Sequence, residues 1–163
     1  MPLKEGWEVP PDRREKVEKI LRNDEVGDPI LTSKCVLVQQ QANGVLVVSN
    51  KGIAWREKKS ALRVLDLSFS TSSKWVRWHD VAFIIPKKAG SIIVEAKKRK
   101  NGVLVIGKRG IPKTIDLKFI IKRNQKETKS QFEQRKTEFN TIMLELFKKY
   151  RSNTNLRTSD SRT

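Results

Sequence analysis

The sequence predicts a mainly β, α+β chain: a curved antiparallel sheet or partly open barrel of about seven strands, plugged by one C-terminal amphipathic helix, with a short helix ahead of it. Three observations carry this. Gly44–Trp55 reads as two strands joined at Ser49–Gly52, with a β-branched run at Val45–Val48 and turn formers at Asn50 and Gly52. Arg99-Lys-Asn-Gly102 holds an Asn-Gly pair suited to a type I′ hairpin turn. From Phe132 to Tyr150 the period changes, and Phe132, Phe139, Ile142, Met143, Leu146, Phe147 and Tyr150 share one helical face.

In chain order, residues 1–11 carry three prolines and no periodicity, which predicts a flexible lead-in. From Asp12, a candidate cap, Val17, Ile20 and Leu21 form a helical stripe that Gly27-Asp-Pro29 ends. This helix is expected against the sheet; a membrane contact would rest on Arg13, Arg14, Lys16 and Lys19, with only those three apolar residues as anchor. Strands are expected at Lys34–Gln41, in the hairpin, and from Trp75 through Trp78, with a bend at His79-Asp80 before Val81–Ile85. Residues 63–69 alternate in part before a Ser-Thr-Ser-Ser loop. Further strands are expected at Ser91–Lys98, Val103–Ile106 and Thr114–Ile121. In the last, Ile115, Leu117, Phe119 and Ile121 face one way, and Ile120 is the apolar exception on the other side. Ser130 with Glu133 suggests a capping box for the long helix. Residues 12–150 then form a single domain, and the Ser/Thr/Asn/Arg-rich 151–163 a disordered basic tail.

The 163 residues are enough for one buried core. One cysteine and one histidine argue against a disulfide framework and a protein-only zinc site, and Cys35, in an apolar run, reads as a buried thiol. No signal peptide or membrane-length apolar run is evident, so a soluble, cytoplasmic protein is expected. With 35 Lys+Arg against 18 Asp+Glu, the net charge of +17 favours acidic partners: nucleic acid, an anionic membrane or an acidic protein face. A charged surface that serves solubility alone is the plainer alternative.

Enzyme motifs fail one by one. Gly102-Val-Leu-Val-Ile-Gly-Lys108 matches a nucleotide-binding loop only superficially. Arg109 stands where Ser or Thr would hold magnesium, strand formers fill the loop, and Pro112 follows instead of a helix. His79 and Asp80, adjacent in an extended chain, would face opposite sides and form no dyad. No catalytic residue, metal site or cofactor is assigned. The basic residues Lys87, Lys88, Lys97, Lys98, Arg99, Lys100, Lys108, Arg109 and Lys113 are the candidates for an anionic ligand. They are expected as one patch at Lys97–Lys100 and another, on the opposite rim, joining Lys87 and Lys88 with Lys108–Lys113; solvated loop tips are the alternative. Trp75 and Trp78 should face opposite sides of a strand, one of them exposed; with Ile120 they are candidates for a protein partner.

The order of elements is that of a pleckstrin-homology-like (PH-like) domain. Gly44-Val-Leu-Val-Val-Ser-Asn-Lys-Gly-Ile-Ala-Trp-Arg-Glu57 and Val76-Arg-Trp-His-Asp-Val-Ala-Phe-Ile-Ile85 resemble the GRAM/GLUE branch of that superfamily, over roughly residues 30–150. The Ile53–Glu57 ending and Asp80–Ile85 are most similar to the GLUE domain of the ESCRT-II complex. Gly52 departs from the bulkier residue usual there, and the zinc finger inserted in some GLUE domains is not seen. The resemblance implies a non-enzymatic adaptor in ESCRT-type protein transport that binds ubiquitin and, as a peripheral membrane protein, phosphoinositide or other anionic phospholipid, with further ESCRT subunits as partners. It transfers no ligand-contacting residue. The alternatives are a GRAM-like lipid-binding module without ubiquitin, or a nucleic-acid-binding module. The last ranks lower, because the basic segments lack interleaved aromatics.

Overall fold

The run Val45–Val48 lies in strand β2 (Ala42–Ser49), and it is continuously apolar because both of its faces are buried. The structure, a computed structural model, describes residues 3–22, 26–57 and 73–160, with the backbone alone for 40, 73, 74 and 152–160. Its other strands are β1 (Pro29–Leu37), β3 (Gly52–Glu57), β4 (Ser73–Arg77), β5 (Val81–Pro86), β6 (Ser91–Lys97), β7 (Arg99–Lys100), β8 (Val103–Leu104) and β9 (Thr114–Ile121). The helices are α1 (Arg14–Leu21) and α2 (Lys129–Asp160).

Seven strands pair antiparallel in the order β4-β3-β2-β1-β9-β6-β5, and β7 and β8 pair separately. The two edges, β4 and β5, are joined only by the 3-10 turn Trp78–Asp80, so their near ends lie within about 14 Å. The sheet therefore curls almost onto itself but stays open. The concave side holds the main core, where Leu46, Val48, Trp55, Ile92, Phe119 and Ile121 meet Phe139, Met143 and Leu146 of α2. On the convex side, Val45, Val47 and Ala54 are covered by Val17 and Ile20 of α1. This is the PH-like layout implied by the element order: open sheet, plugging C-terminal helix, short N-terminal helix.

Several local expectations need correction. The lead-in is not loose: Trp7 is 1 % exposed, stacks on Phe139 at 5.8 Å, and its carbonyl accepts hydrogen bonds from both the amide and the hydroxyl of Thr32. β1 starts five residues before Lys34 because residues 29–33 pair with β2 at residues 46–49, through Thr32 and Ser33, whose polarity hides a strand. It stops at Leu37, ahead of the left-handed Gln41. Asp12 does not cap α1; it pairs with Arg13 at 3.0 Å and with Lys34. Burial alone would raise its carboxyl, but the hydrogen bond and charge of Lys34, with Arg13, hold it below its usual range. The capping box of α2 is Thr128/Gln131 rather than Ser130/Glu133: the Gln131 amide donates to Thr128 Oγ1 at 3.1 Å and the Thr128 amide to Gln131 Oε1 at 2.9 Å. The backbone of α2 continues to Asp160, through most of the tail expected to be disordered.

In the β2–β3 turn neither Asn50 nor Gly52 takes a positive φ. The Ser49 hydroxyl shapes it instead, accepting from the amides of Lys51 and Gly52, both at 3.2 Å. Gly52 is required for space, since a Cβ there would stand 2.2 Å from the Val76 carbonyl oxygen on β4. The Asn101-Gly102 turn does take two positive φ values, 54° and 80°, as a type I′ turn requires. Its strands form their own ribbon and do not extend the main sheet. Cys35 is buried as expected, and that burial pushes its thiol well above the ordinary range. The partial alternation at 63–69 lies outside the described residues.

Candidate anion-binding cleft

The β5–β6 connection carries Lys87 and Lys88, and α2 fixes its shape. Lys87 N–H donates to the Ser91 carbonyl and Ser91 N–H to the Lys88 carbonyl, each at 2.9 Å. From the helix, the Asn140 side chain accepts from the Gly90 amide at 3.2 Å and donates to the Lys88 carbonyl at 3.1 Å. Gly90 has φ 78°, and a Cβ on it would lie 2.7 Å from Lys136 Cγ. Glycine thus allows both the turn and the close passage of α2.

Beside this turn opens a cleft of about 580 Å³, lined by Lys87, Lys88, Lys118, Lys122 and Lys136 over a floor that includes Ile120 and Phe132. Period-two alternation places Lys118 and Ile120 on the outer face of β9, while Phe132 and Lys136 are one helical turn apart on α2. Among the described residues no carboxylate lines the cleft. Glu133, at its border, pairs with Lys136 at 2.8 Å; among the described residues the other four lysines have no ion pair. Among the described residues, four lysines without an ion pair surround a partly apolar hollow, an arrangement whose chemistry suits a compact, multiply charged anion.

The floor is anchored from below by Arg135, 4 % exposed. Its guanidinium donates to Glu127 at 2.8 and 3.0 Å, to Ser33 Oγ at 2.7 Å and to the Lys122 carbonyl at 2.6 Å, and it lies over the rings of Trp7 and Phe132. Burial would raise the Glu127 carboxyl, but hydrogen bonds from Arg135 and the Asn124 amide, with the charges of Arg135 and Arg123, hold it below its usual range.

The basic residues are grouped differently from the sequence expectation. Lys108, Arg109 and Lys113 do not join Lys87 and Lys88. Lys98 N–H donates to the Lys113 carbonyl at 2.8 Å, because β6 and β9 are antiparallel and Lys97 pairs with Thr114. All of Lys97–Lys100 and Lys108–Lys113 therefore gather at one end of these strands, and Lys87 and Lys88 at the other. Arg99 is not free for a ligand: it donates to both carboxylate oxygens of the buried Asp80, at 2.7 and 2.9 Å, and to the Gly102 carbonyl. Those Asp80 hydrogen bonds raise its already high pKa. His79 and Asp80 sit in a 3-10 turn, not an extended chain, so His79 Nε2 comes within 3.6 Å of Asp80; that carboxylate is already committed to Arg99.

Neither tryptophan candidate is an exposed platform. Trp78 is buried, stacks on Tyr150 at 5.8 Å and donates to the Ser49 carbonyl; Trp75 is half-buried on the convex cluster beneath α1. Ile120 belongs to the cleft. Lys118, Lys122 and Lys136 were missed because 18 residues and two element types separate them (136 − 118 = 18). The available signal was Lys118 beside the outward Ile120, a short link before the long helix.

The sequence matches no protein-family model and none of the curated proteins. Among solved structures it is similar to a chain described as "PH domain from TgAPH", at 13% identity and a TM-score of 0.35, over 83% of this chain and 92% of that one.

Proposed function

We propose that this PH-like chain is a non-enzymatic binding module whose cleft takes the phosphates of an anionic lipid headgroup, as part of a cytoplasmic protein recruited to membranes. The observation that carries this is that Lys87, Lys88, Lys118 and Lys122 line one hollow where, among the described residues, they have no ion pair and no carboxylate joins them. The apolar floor supports a bound ligand with a carbon ring and not a bare ion. Among the described residues no helix is long and apolar enough to cross a membrane, so attachment would be peripheral. The test is titration with soluble phosphoinositide headgroups of wild-type protein and a K88E/K122E variant. Two charge reversals should weaken binding at least about tenfold, from the usual worth of charge-assisted hydrogen bonds. Equal affinity in the two proteins defeats the proposal.

A second reading, ubiquitin binding in ESCRT-type sorting, draws on the GLUE-like sequence and on one surface. Phe83 and Ile85, 60 % and 37 % exposed, project from the outer face of edge strand β5. An NMR titration with ubiquitin should then shift the β5 amides, and an unchanged spectrum removes this reading.

A further inference from the structure

The 16 residues between β6 and β9 (98–113) combine two properties that rarely coincide on a soluble surface. Val103, Ile106 and Ile111 are 68 %, 52 % and 62 % exposed, three of the six large apolar side chains found in that state among the described residues. Around them stand Lys97, Lys98, Lys100, Lys108, Arg109 and Lys113, with no Asp or Glu anywhere between Lys97 and Ile115.

The loop is built, not merely extruded. Val105 donates to Lys98 and accepts from Lys113, Ile106 bridges to Pro112, and the β7–β8 ribbon is closed by the Asn101-Gly102 turn. Arg99, held by Asp80 and bonded back to Gly102, fastens the ribbon to the 3-10 turn at Trp78–Asp80. Hydrogen bonds and the Arg99–Asp80 pair order these residues, but their three aliphatic side chains stay in water and contribute no burial within the fold.

We infer that this loop is a docking tip for an anionic bilayer: its aliphatic side chains enter the boundary between headgroups and acyl chains while the surrounding cations meet the negative surface. Charge complementarity commits the partner to an anionic surface. The aliphatic chemistry selects the bilayer over a nucleic acid, since residues 97–113 contain no aromatic ring on which a base could stack. The tip shares no residue with the lysine cleft and does not rest on the function proposed for it.

The full chain is tested by sedimentation with vesicles of phosphatidylcholine alone and of phosphatidylcholine with phosphatidylserine. V103E/I111E should lose at least tenfold in binding to the anionic vesicles, while its thermal melt stays that of the wild type because both positions are exposed. Insertion itself is read with V103C carrying an environment-sensitive dye, the native Cys35 being 1 % exposed and shielded from the reagent. Its emission should shift to the blue on anionic vesicles only. An unshifted probe, or wild-type binding by V103E/I111E, overturns the inference. K88E/K122E separates the two sites: loss of vesicle binding there with a silent probe at position 103 leaves the cleft standing and removes the tip.

Discussion

Arg135 of α2 and Glu127, just ahead of that helix, form an ion pair shielded from solvent, with side chains 4 % and 10 % exposed. Removing the cation strands a shielded carboxylate and also releases Ser33 and the Lys122 carbonyl. Arg135→Ala should cost about 3 kcal/mol in urea denaturation. The pH dependence has a definite sign. Glu127 is depressed in the folded state, so its contribution is complete above its ordinary value of 4.5 and disappears as pH falls through the lower folded value. Glu127→Gln should therefore lower stability at neutral pH and flatten its decline below about pH 4.5. Asp12, also depressed, leaves part of the acid sensitivity in place.

Trp7 offers a second check. Its ring packs on Phe139 and against the Arg135 guanidinium, so it is a core residue supplied by a segment that looks like a tail. Trp7→Ala should destabilise the protein by about 3–5 kcal/mol in the same assay, the usual cost of removing a buried large aromatic. A loose lead-in would give a change near zero.

Such segments show where the sequence was legible. The β2–β3 hairpin, the bend at Trp78–Asp80, the alternation of β9 and the apolar face of α2 are local patterns, and each can be read from a dozen residues. Together they were enough for the PH-like layout. The tether of Trp7, the early start of β1 and the grouping of the lysines are not local. Thr32 and Ser33 look like loop residues until Trp7 and Arg135 supply their partners. Lys87 and Lys88 were singled out as basic, but their neighbours Lys118, Lys122 and Lys136 come from a strand face and a helix turn. Their convergence depends on strand order, which periodicity does not encode.

Close approach at the β2–β3 turn gives a third expectation. Because a Cβ on Gly52 would fall 2.2 Å from the Val76 carbonyl oxygen and 2.9 Å from Trp75, Gly52→Ala must push β4 away from β3. A loss of about 1–3 kcal/mol follows from overpacking, with earlier hydrogen exchange of the Arg77 and Trp78 amides. The same substitution at Gly102 meets no atom within 4 Å and leaves only the penalty of its φ of 80°, so it should cost about 1 kcal/mol.

Asn140 couples the helix to the cleft without contributing charge. Its amide bonds the Gly90 N–H and the Lys88 carbonyl, so the turn bearing Lys87 and Lys88 is held from α2 as well as by its own backbone bonds. Asn140→Ala removes both links and should leave global stability within about 1 kcal/mol, since the site is partly open to solvent. Locally the effect should be larger. The Gly90 amide loses its hydrogen-bond acceptor, and its exchange should quicken about fivefold or more, read by native-state hydrogen exchange against unchanged amides in β1 and β2. If the cleft holds a headgroup, the variant should also bind it more weakly while keeping every lysine, because a loosened turn must be reordered on binding. Unchanged Gly90 exchange would mean that the β5–β6 turn keeps its shape without the helix, and that the placement of Lys87 and Lys88 owes nothing to α2.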